Sequence, residues 1–218
     1  MKSKRIVSNA GFTIVELMVA IAMSGIVMSG IYSAYYSQQK TYTTQQQVCA
    51  MQQNLRSALF YMEREIRVAG FNPTGIPNAG IITSGVSTIT VAMDITGDGN
   101  VTDADETVTY TLYNPDGDGD NDLGRDNGDG TGTQLVAENI DALDFVYLDG
   151  DGDVTAMNSD IRAVQIAIVA RTGKGESGYT NSEAYSNQQD NVIYTAPGDG
   201  CRRRVLMAEV KCRNLGSE

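Results

Sequence analysis

The sequence contains no histidine and no tryptophan, and its 218 residues include three cysteines and four prolines. Without histidine the chain can form neither a histidine-based catalytic triad nor a histidine metal site. A nucleophile motif of the type G-x-S-x-G is also absent. We therefore expect a protein that is not an enzyme.

Cationic side chains are few, with 16 Lys and Arg against 27 Asp and Glu, for a formal net charge of −11. Three of them, Lys2, Lys4 and Arg5, precede the first apolar run, so the positive-inside rule places the N-terminus in the cytoplasm. Removing these three positive charges from −11 leaves −14. Nonspecific nucleic-acid binding requires Lys and Arg contacts to phosphates, so we expect no nucleic-acid partner.

The apolar run Gly11–Ala34 contains a single charged residue, Glu16, and the next charge is Lys40. About 20 apolar helical residues span a bilayer, so this run is long enough to cross a membrane. A simple signal anchor is the alternative. Two features argue against it. A carboxylate inside an apolar helix, here Glu16, usually marks a function. Gly11, the small residue at which cleavage would occur, stands before the apolar side chains, whereas a secretory cleavage site follows them.

The stretch GFTIVELMVAIAMSGIV resembles the N-terminus of type IV prepilins. The resemblance implies that a prepilin peptidase cleaves after Gly11 and that the new N-terminal residue, Phe12, is N-methylated. It also implies a role in assembly for Glu16, the fifth mature residue, which would pair with the methylated amine of Phe12 on an adjacent subunit.

Residues 12–69 are predicted to form one long helix, because no proline interrupts them and Gly70 and Pro73 follow. The first half requires lipid or neighbouring helices. In the second half, apolar residues recur at intervals of three and four, which predicts a stripe packed on a sheet. The stripe consists of Val48, Met51, Leu55, Leu59, Met62 and Ile66.

Downstream of Ile81 the apolar pattern changes to period two, which predicts strands. The predicted strands are 88–93, 107–113, 142–148, 161–170, 192–195 and 205–210. Turns rather than helices separate them, so we predict an α+β fold in which the long helix packs on an antiparallel β-sheet. The segment 179–190 lacks periodicity and is predicted to be an exposed loop. The expected organisation is a leader (1–11), a transmembrane or filament-core helix (12–37) and a globular domain (38–218).

Three downstream stretches, LRSALFYMEREIRVAGFNP, AENIDALDFVYLDGDGD and VLMAEVKCRNL, together resemble the PilW group of minor pilins. That group is related to the J-type minor pseudopilins of type II secretion. The resemblance implies the type IV pilin fold and a tip or initiating subunit that assembles with other minor pilins and the major pilin. The protein would be a single-pass inner-membrane precursor and then part of an extracellular pilus. A type II minor pseudopilin and a calcium-dependent tip adhesin remain open as alternatives.

The first acidic loop, DITGDGNVTDADE (94–106), has the spacing of an EF-hand-type calcium loop. Alternate residues supply oxygen ligands, and Gly99 at position six allows the sharp turn. The predicted calcium ligands are Asp94, Thr96, Asp98, Asn100, Thr102 and Asp105. The alternative is a solvated turn, because Asp, Asn and Gly are also good turn formers.

A second acidic stretch, NPDGDGDNDLGRDNGDG (114–130), is a candidate for a looser calcium site, and a third acidic group is expected at a hairpin tip. No register of the second stretch places both a glycine at six and a carboxylate at twelve. Its candidate ligands are Asp116, Asp118, Asp120 and Asp122. The third group is Asp149, Asp151 and Asp153.

The three cysteines are Cys49, Cys201 and Cys212. An exported chain matures in an oxidising compartment, so a disulfide is expected, with Cys201 and Cys212 the favoured pair. A bridge from Cys49 to the C-terminal strand remains the alternative.

Overall fold

The computed structural model describes residues 11–117 and 119–216. They form one long helix, ten strands and one 3-10 turn at Asn158–Asp160. The elements are α1 (Ile14–Val68), β1 (Gly80–Ser84), β2 (Thr88–Ala92), β3 (Thr107–Tyr113), β4 (Asp122–Asp126), β5 (Gln134–Ala137), β6 (Ile140–Leu148), β7 (Ala163–Arg171), β8 (Ala184–Ser186), β9 (Val192–Thr195) and β10 (Arg203–Lys211).

The chain divides into two compact units, an N-terminal unit up to Gln45 and a C-terminal unit from Gln46 onward. In the N-terminal unit the apolar side chains of α1 are exposed, including Ile14 (78%) and Ile26 (73%). By length and composition α1 is suited to crossing a membrane. Exposure of so many apolar side chains indicates that this unit is covered by lipid or by other helices.

The C-terminal unit consists of the second half of α1 packed on antiparallel sheets, which makes the protein α+β as predicted. The predicted stripe forms the buried face of the helix, and Leu55, Met62 and Ile66 are at most 1% exposed. Five strands pair in the order β1-β2-β3-β4-β5, three in the order β10-β7-β6, and β8 pairs with β9. Side chains from the first two sheets and from the helix form one apolar core.

The six predicted strands are all present, and the bounds of β3 and β9 match the prediction. Four strands were missed: β1, β4, β5 and β8. These are short, and β4 has the sequence DLGRD, in which Leu123 is the only apolar residue. Its place in the sheet comes from pairing with β3 and β5 rather than from its own β propensity.

The prediction of an exposed loop at 179–190 was wrong, because this segment contains β8 and several buried side chains. Asn181 and Asn187 are 1% and 5% exposed. The Asn181 amide donates to the Tyr185 hydroxyl (2.9 Å) and to the Cys201 carbonyl (3.3 Å). Since hydrogen-bonded amides rather than apolar side chains fill these positions, hydrophobic periodicity could not reveal the burial.

The predicted Cys201–Cys212 disulfide is also wrong, because these residues lie beyond opposite ends of β10. That strand pairs with β7 without a register shift over its nine residues. At ~3.3 Å per residue the two cysteines lie about 30 Å apart, whereas a disulfide needs Cα atoms within about 7 Å. All three cysteines are free thiols, including Cys49, which is exposed on α1.

Candidate functional site

The N-terminus of α1 is organised by a reciprocal pair of hydrogen bonds between Thr13 and Glu16. The Thr13 N–H and hydroxyl both donate to Glu16 Oε2 at 2.9 Å. In return, the Glu16 N–H donates to Thr13 Oγ1 at 3.2 Å. This is a capping box, which satisfies N–H groups that the first helical turn leaves without partners.

The expected processing residues Gly11 and Phe12 precede this cap and are exposed. The rest of the expected leader, residues 1–10, lies outside the described residues. In the single chain Glu16 caps its own helix. The expected partner, the amine of a neighbouring Phe12, would have to be recruited by a carboxylate that already accepts two hydrogen bonds.

The first acidic loop connects β2 to β3, and it brings together the carboxylates of Asp94, Asp98 and Glu106. One oxygen from each lies within 4.8 Å of the others. Asp94 and Glu106 are fully buried, whereas Asp98 is exposed. Gly99 adopts φ +86°, as its expected place in the sharp turn requires.

Glu106 organises this loop by accepting hydrogen bonds from its main chain. Its Oε1 accepts the N–H groups of Ile95 (3.0 Å) and Thr96 (2.9 Å), together with the Thr96 hydroxyl (3.0 Å). Among the described residues, its Oε2 accepts only the Asp103 N–H, at 3.3 Å. That second oxygen therefore retains lone-pair capacity for another ligand.

Asp94 is held at the start of the loop by two neighbours. Its Oδ1 accepts the Gly97 N–H at 2.7 Å, and its Oδ2 accepts the Thr74 hydroxyl. The hydroxyl bond lowers the pKa of Asp94, and backbone N–H groups of the loop add to the effect. The Asp94 carboxylate is therefore held in its charged form, which a cation would require.

The other predicted ligands are arranged differently. Asn100 contacts Asp98 through its amide and accepts both the N–H (2.8 Å) and the hydroxyl (2.7 Å) of Thr102. Asp105 lies outside the trio, because its carboxylate pairs with Arg125 Nη2 at 2.6 Å. The Arg125 hydrogen bond lowers the pKa of Asp105.

Sequence reasoning chose Asp105 and missed Glu106, although a signal for Glu106 was present. Val108 and Tyr110 of β3 face the core. Side chains alternate along a strand, so Glu106 shares their inward side and Asp105 does not. Extending the side-chain alternation of β3 two residues upstream from Val108 would have identified Glu106 as the carboxylate that faces inward.

The second acidic stretch does not gather its described carboxylates into a similar trio. Asp120 pairs with Arg171, and Asp122 accepts the Asn139 N–H at 2.9 Å. Burial raises the pKa of Asp122, and the nearby carboxylates of Asp120 and Asp116 add to this. Asp118 lies outside the described residues.

The third acidic group forms a tight turn after β6, as expected. Asp149 Oδ1 accepts the N–H groups of Asp151 and Asp153, each at 3.0 Å. This use of an Asp side chain is that of a turn former rather than of a metal ligand.

Comparison with known proteins identifies the N-terminal segment. Residues 7–32 match the family model described as the prokaryotic N-terminal methylation motif, which supports the expected prepilin-type N-terminal segment. No curated protein matches the sequence. Among solved structures, a type IV-like pilin from Thermus thermophilus aligns at 17% identity and a TM-score of 0.47, covering 75% of this chain and 97% of that one.

Proposed function

We propose that this protein is a minor subunit of a type IV pilus, acting at the tip or at initiation. The observation that carries the proposal is the methylation motif at the start of an apolar helix whose side chains are exposed. A prepilin peptidase would cleave after Gly11 and expose Phe12 for methylation. The helix would lie in the inner membrane before assembly and pack against other pilins afterwards.

The minor role rests on the resemblance of the downstream stretches to minor pilins. A minor pseudopilin of type II secretion has the same N-terminal requirements and is the second candidate. The third, a calcium-dependent tip adhesin, is favoured by the acidic loop at 94–106. Neighbouring genes distinguish the first two, because small prepilin genes accompany a pilus and a secretin with an exoprotein gene accompanies secretion.

Processing provides the direct test. In cells that contain prepilin peptidase, we expect the intact mass to correspond to residues 12–218 plus one methyl group. In cells without the peptidase, residues 1–11 should remain. The mature protein should also appear in the sheared surface fraction by immunoblot. Retention of the leader in the presence of active peptidase would contradict the proposal.

We also propose that the first acidic loop binds calcium through Asp94, Asp98 and Glu106. Calcium takes six to eight oxygen ligands and favours carboxylates. Three carboxylates within 4.8 Å repel one another, and no Lys or Arg is paired with them among the described residues. A divalent cation would remove that repulsion, and the Thr96 hydroxyl lies beside Glu106. Such a site would hold the β2–β3 connection rather than supply chemistry.

Calcium should therefore stabilise the full-length protein in detergent. Extracellular sites bind at about 10⁻⁴–10⁻³ M, so a concentration well above that range should contribute about 2 kcal/mol by linkage. At ~2–4 °C per kcal/mol, we expect Tm to rise by about 4–8 °C relative to chelator. Thermal melting measures this directly.

Two matched variants test the location of the site. Asp98→Asn removes an exposed charge from the trio and should abolish the calcium effect. Asp151→Asn removes an exposed charge from the turn after β6 and should leave the effect intact. An unchanged Tm with calcium, or an equal response in Asp98→Asn, would show that the loop is only a solvated turn.

A further inference from the structure

A cleft of about 770 Å³ lies along β6, an edge strand of the sheet β10-β7-β6. Its lining combines apolar side chains, among them Val146, Val154 and Val192, with the polar side chains of Asp144 and Asn187. Val154 and Val192 are 63% and 60% exposed, so their apolar surface is available to a partner.

Asp144 is a buried carboxylate within this cleft, only 8% exposed. Its Oδ2 accepts the Asn187 amide N–H at 2.8 Å. The orientation of that amide is determined by its own oxygen, which accepts the N–H groups of Gln189 and Asn191 at 3.0 Å each. Asp144 Oδ1 accepts no hydrogen bond from the described residues, and it is not among the side-chain oxygens sealed from solvent.

No Lys or Arg of the described chain forms an ion pair with Asp144. Glu65 and the half-buried Asp141 are compensated by Arg125 and Arg203. Asp144, like Asp94 and Glu106 of the first acidic loop, has no such pair among the described residues. Burying a carboxylate is costly unless it is paired and hydrogen-bonded. The Asp144 carboxylate accepts one hydrogen bond from a neutral amide, and its second oxygen accepts none. It therefore lacks the cation that would complete an ion pair.

The shape and chemistry of the cleft indicate which kind of cationic group would pair with Asp144. Lys and Arg place an aliphatic stem on apolar surface and carry a cation at its end. In the cleft, the valines offer apolar surface to such a stem, and Asp144 offers an acceptor to the cation. Along the edge of β6, the Phe145 N–H donates to the Val86 carbonyl (2.7 Å) and the Tyr147 carbonyl accepts the Thr155 N–H (2.9 Å). These contacts cover the edge of β6 at Phe145 and Tyr147, and Leu143 is only 4% exposed, so a partner would contact the side chains of the cleft rather than the strand edge.

We propose that this cleft binds an arginine or lysine side chain presented by an extended segment of a partner polypeptide. The cation pairs with Asp144 Oδ1, and the aliphatic stem lies on the valines of the cleft.

The test uses two pentapeptides that carry an uncharged fluorophore, acetyl-Ala-Val-Arg-Val-Ala-amide and the same peptide with Gln in place of Arg. Fluorescence polarisation with the full-length protein in detergent measures both affinities. We expect the Arg peptide to bind at least about tenfold more tightly, which corresponds to ~1.4 kcal/mol. We also expect that preference to weaken as salt is raised.

Asp144→Asn keeps the shape of the side chain and should abolish the preference for the Arg peptide. Asp151→Asn, an exposed single-charge control, should retain it. Equal binding of the two peptides, binding of neither, or a preference that persists in Asp144→Asn would overturn the proposal. Competition by acetyl-arginine amide as strong as by the Arg peptide would replace the polypeptide with a small cationic ligand and also overturn it.

Discussion

Replacing Arg125 with methionine is expected to destabilise the C-terminal unit by about 3–5 kcal/mol. Arg125 binds the buried carboxylate of Glu65, with Nη2 at 2.8 Å and Nε at 3.1 Å from Oε1. Glu65 lies on the buried face of α1 and is 5% exposed. Without the guanidinium, the buried carboxylate would keep, among the described residues, the Tyr110 hydroxyl as a donor at 2.6 Å and the exposed guanidinium of Arg64 at 3.8 Å.

The loss of stability in Arg125→Met should come mainly from the uncompensated charge of Glu65 rather than from the missing Glu65–Arg125 attraction itself. The double variant Arg125→Met/Glu65→Met removes both charges, so it should recover much of the stability. Arg204→Met is the matched control, because Arg204 is exposed and no ion pair is found for it among the described residues. It should change stability by less than about 0.5 kcal/mol.

Denaturant unfolding of the full-length protein in detergent measures these differences. A double variant as unstable as Arg125→Met alone would show that the cluster acts through packing. A loss in Arg125→Met no larger than in Arg204→Met would show that Glu65 is not dependent on its partner.

Replacing Glu16 with alanine should leave cleavage intact and reduce incorporation into filaments at least about tenfold, which requires only ~1.4 kcal/mol of docking free energy. The reason is that a carboxylate in an apolar environment gains most from a cation supplied by a neighbouring subunit. Immunoblots of the sheared surface fraction, normalised to mature protein in the membrane, measure incorporation.

The capping box at Thr13 and Glu16 makes it necessary to separate charge from helix capping. Glu16→Gln removes the charge, but glutamine also serves in a capping box. Thr13→Ala keeps the charge and removes the cap, at a cost of about 1 kcal/mol of helix stability. If charge is decisive, Glu16→Gln should be as defective as Glu16→Ala, while Thr13→Ala should assemble. The reverse pattern would assign Glu16 to capping alone.

Much of the fold was predictable because it depends on local pattern. The stripe from Met51 to Ile66 recurs at helical spacing, and the buried face of α1 follows from it. Alternation in Val164, Ile166 and Ile168 predicted β7. The strand DLGRD and the hydrogen-bonded segment around Asn181 gave no such signal, because pairing and amide hydrogen bonds maintain them.

The site was predictable only in part. Asp94 and Asp98, two of the predicted ligands, do lie close together, but which further carboxylate joins them depends on which side of β3 each residue faces. Asp105 faces Arg125, twenty residues further along the chain, and Glu106 faces the loop. The spacing of residues along the sequence therefore does not show whether Asp105 or Glu106 is the third carboxylate.

The sequence by itself determined the prepilin-type N-terminus, the length of α1 and its buried stripe, because each depends on residues a few positions apart. The tertiary structure alone decided that Cys201 and Cys212 are separated by an extended strand. It also decided that Glu65 meets Arg125 from sixty residues away and that Asp144 lies in a cleft without a cation. These depend on how distant strands pair, and the free energy of such contacts arises only when the segments are brought together.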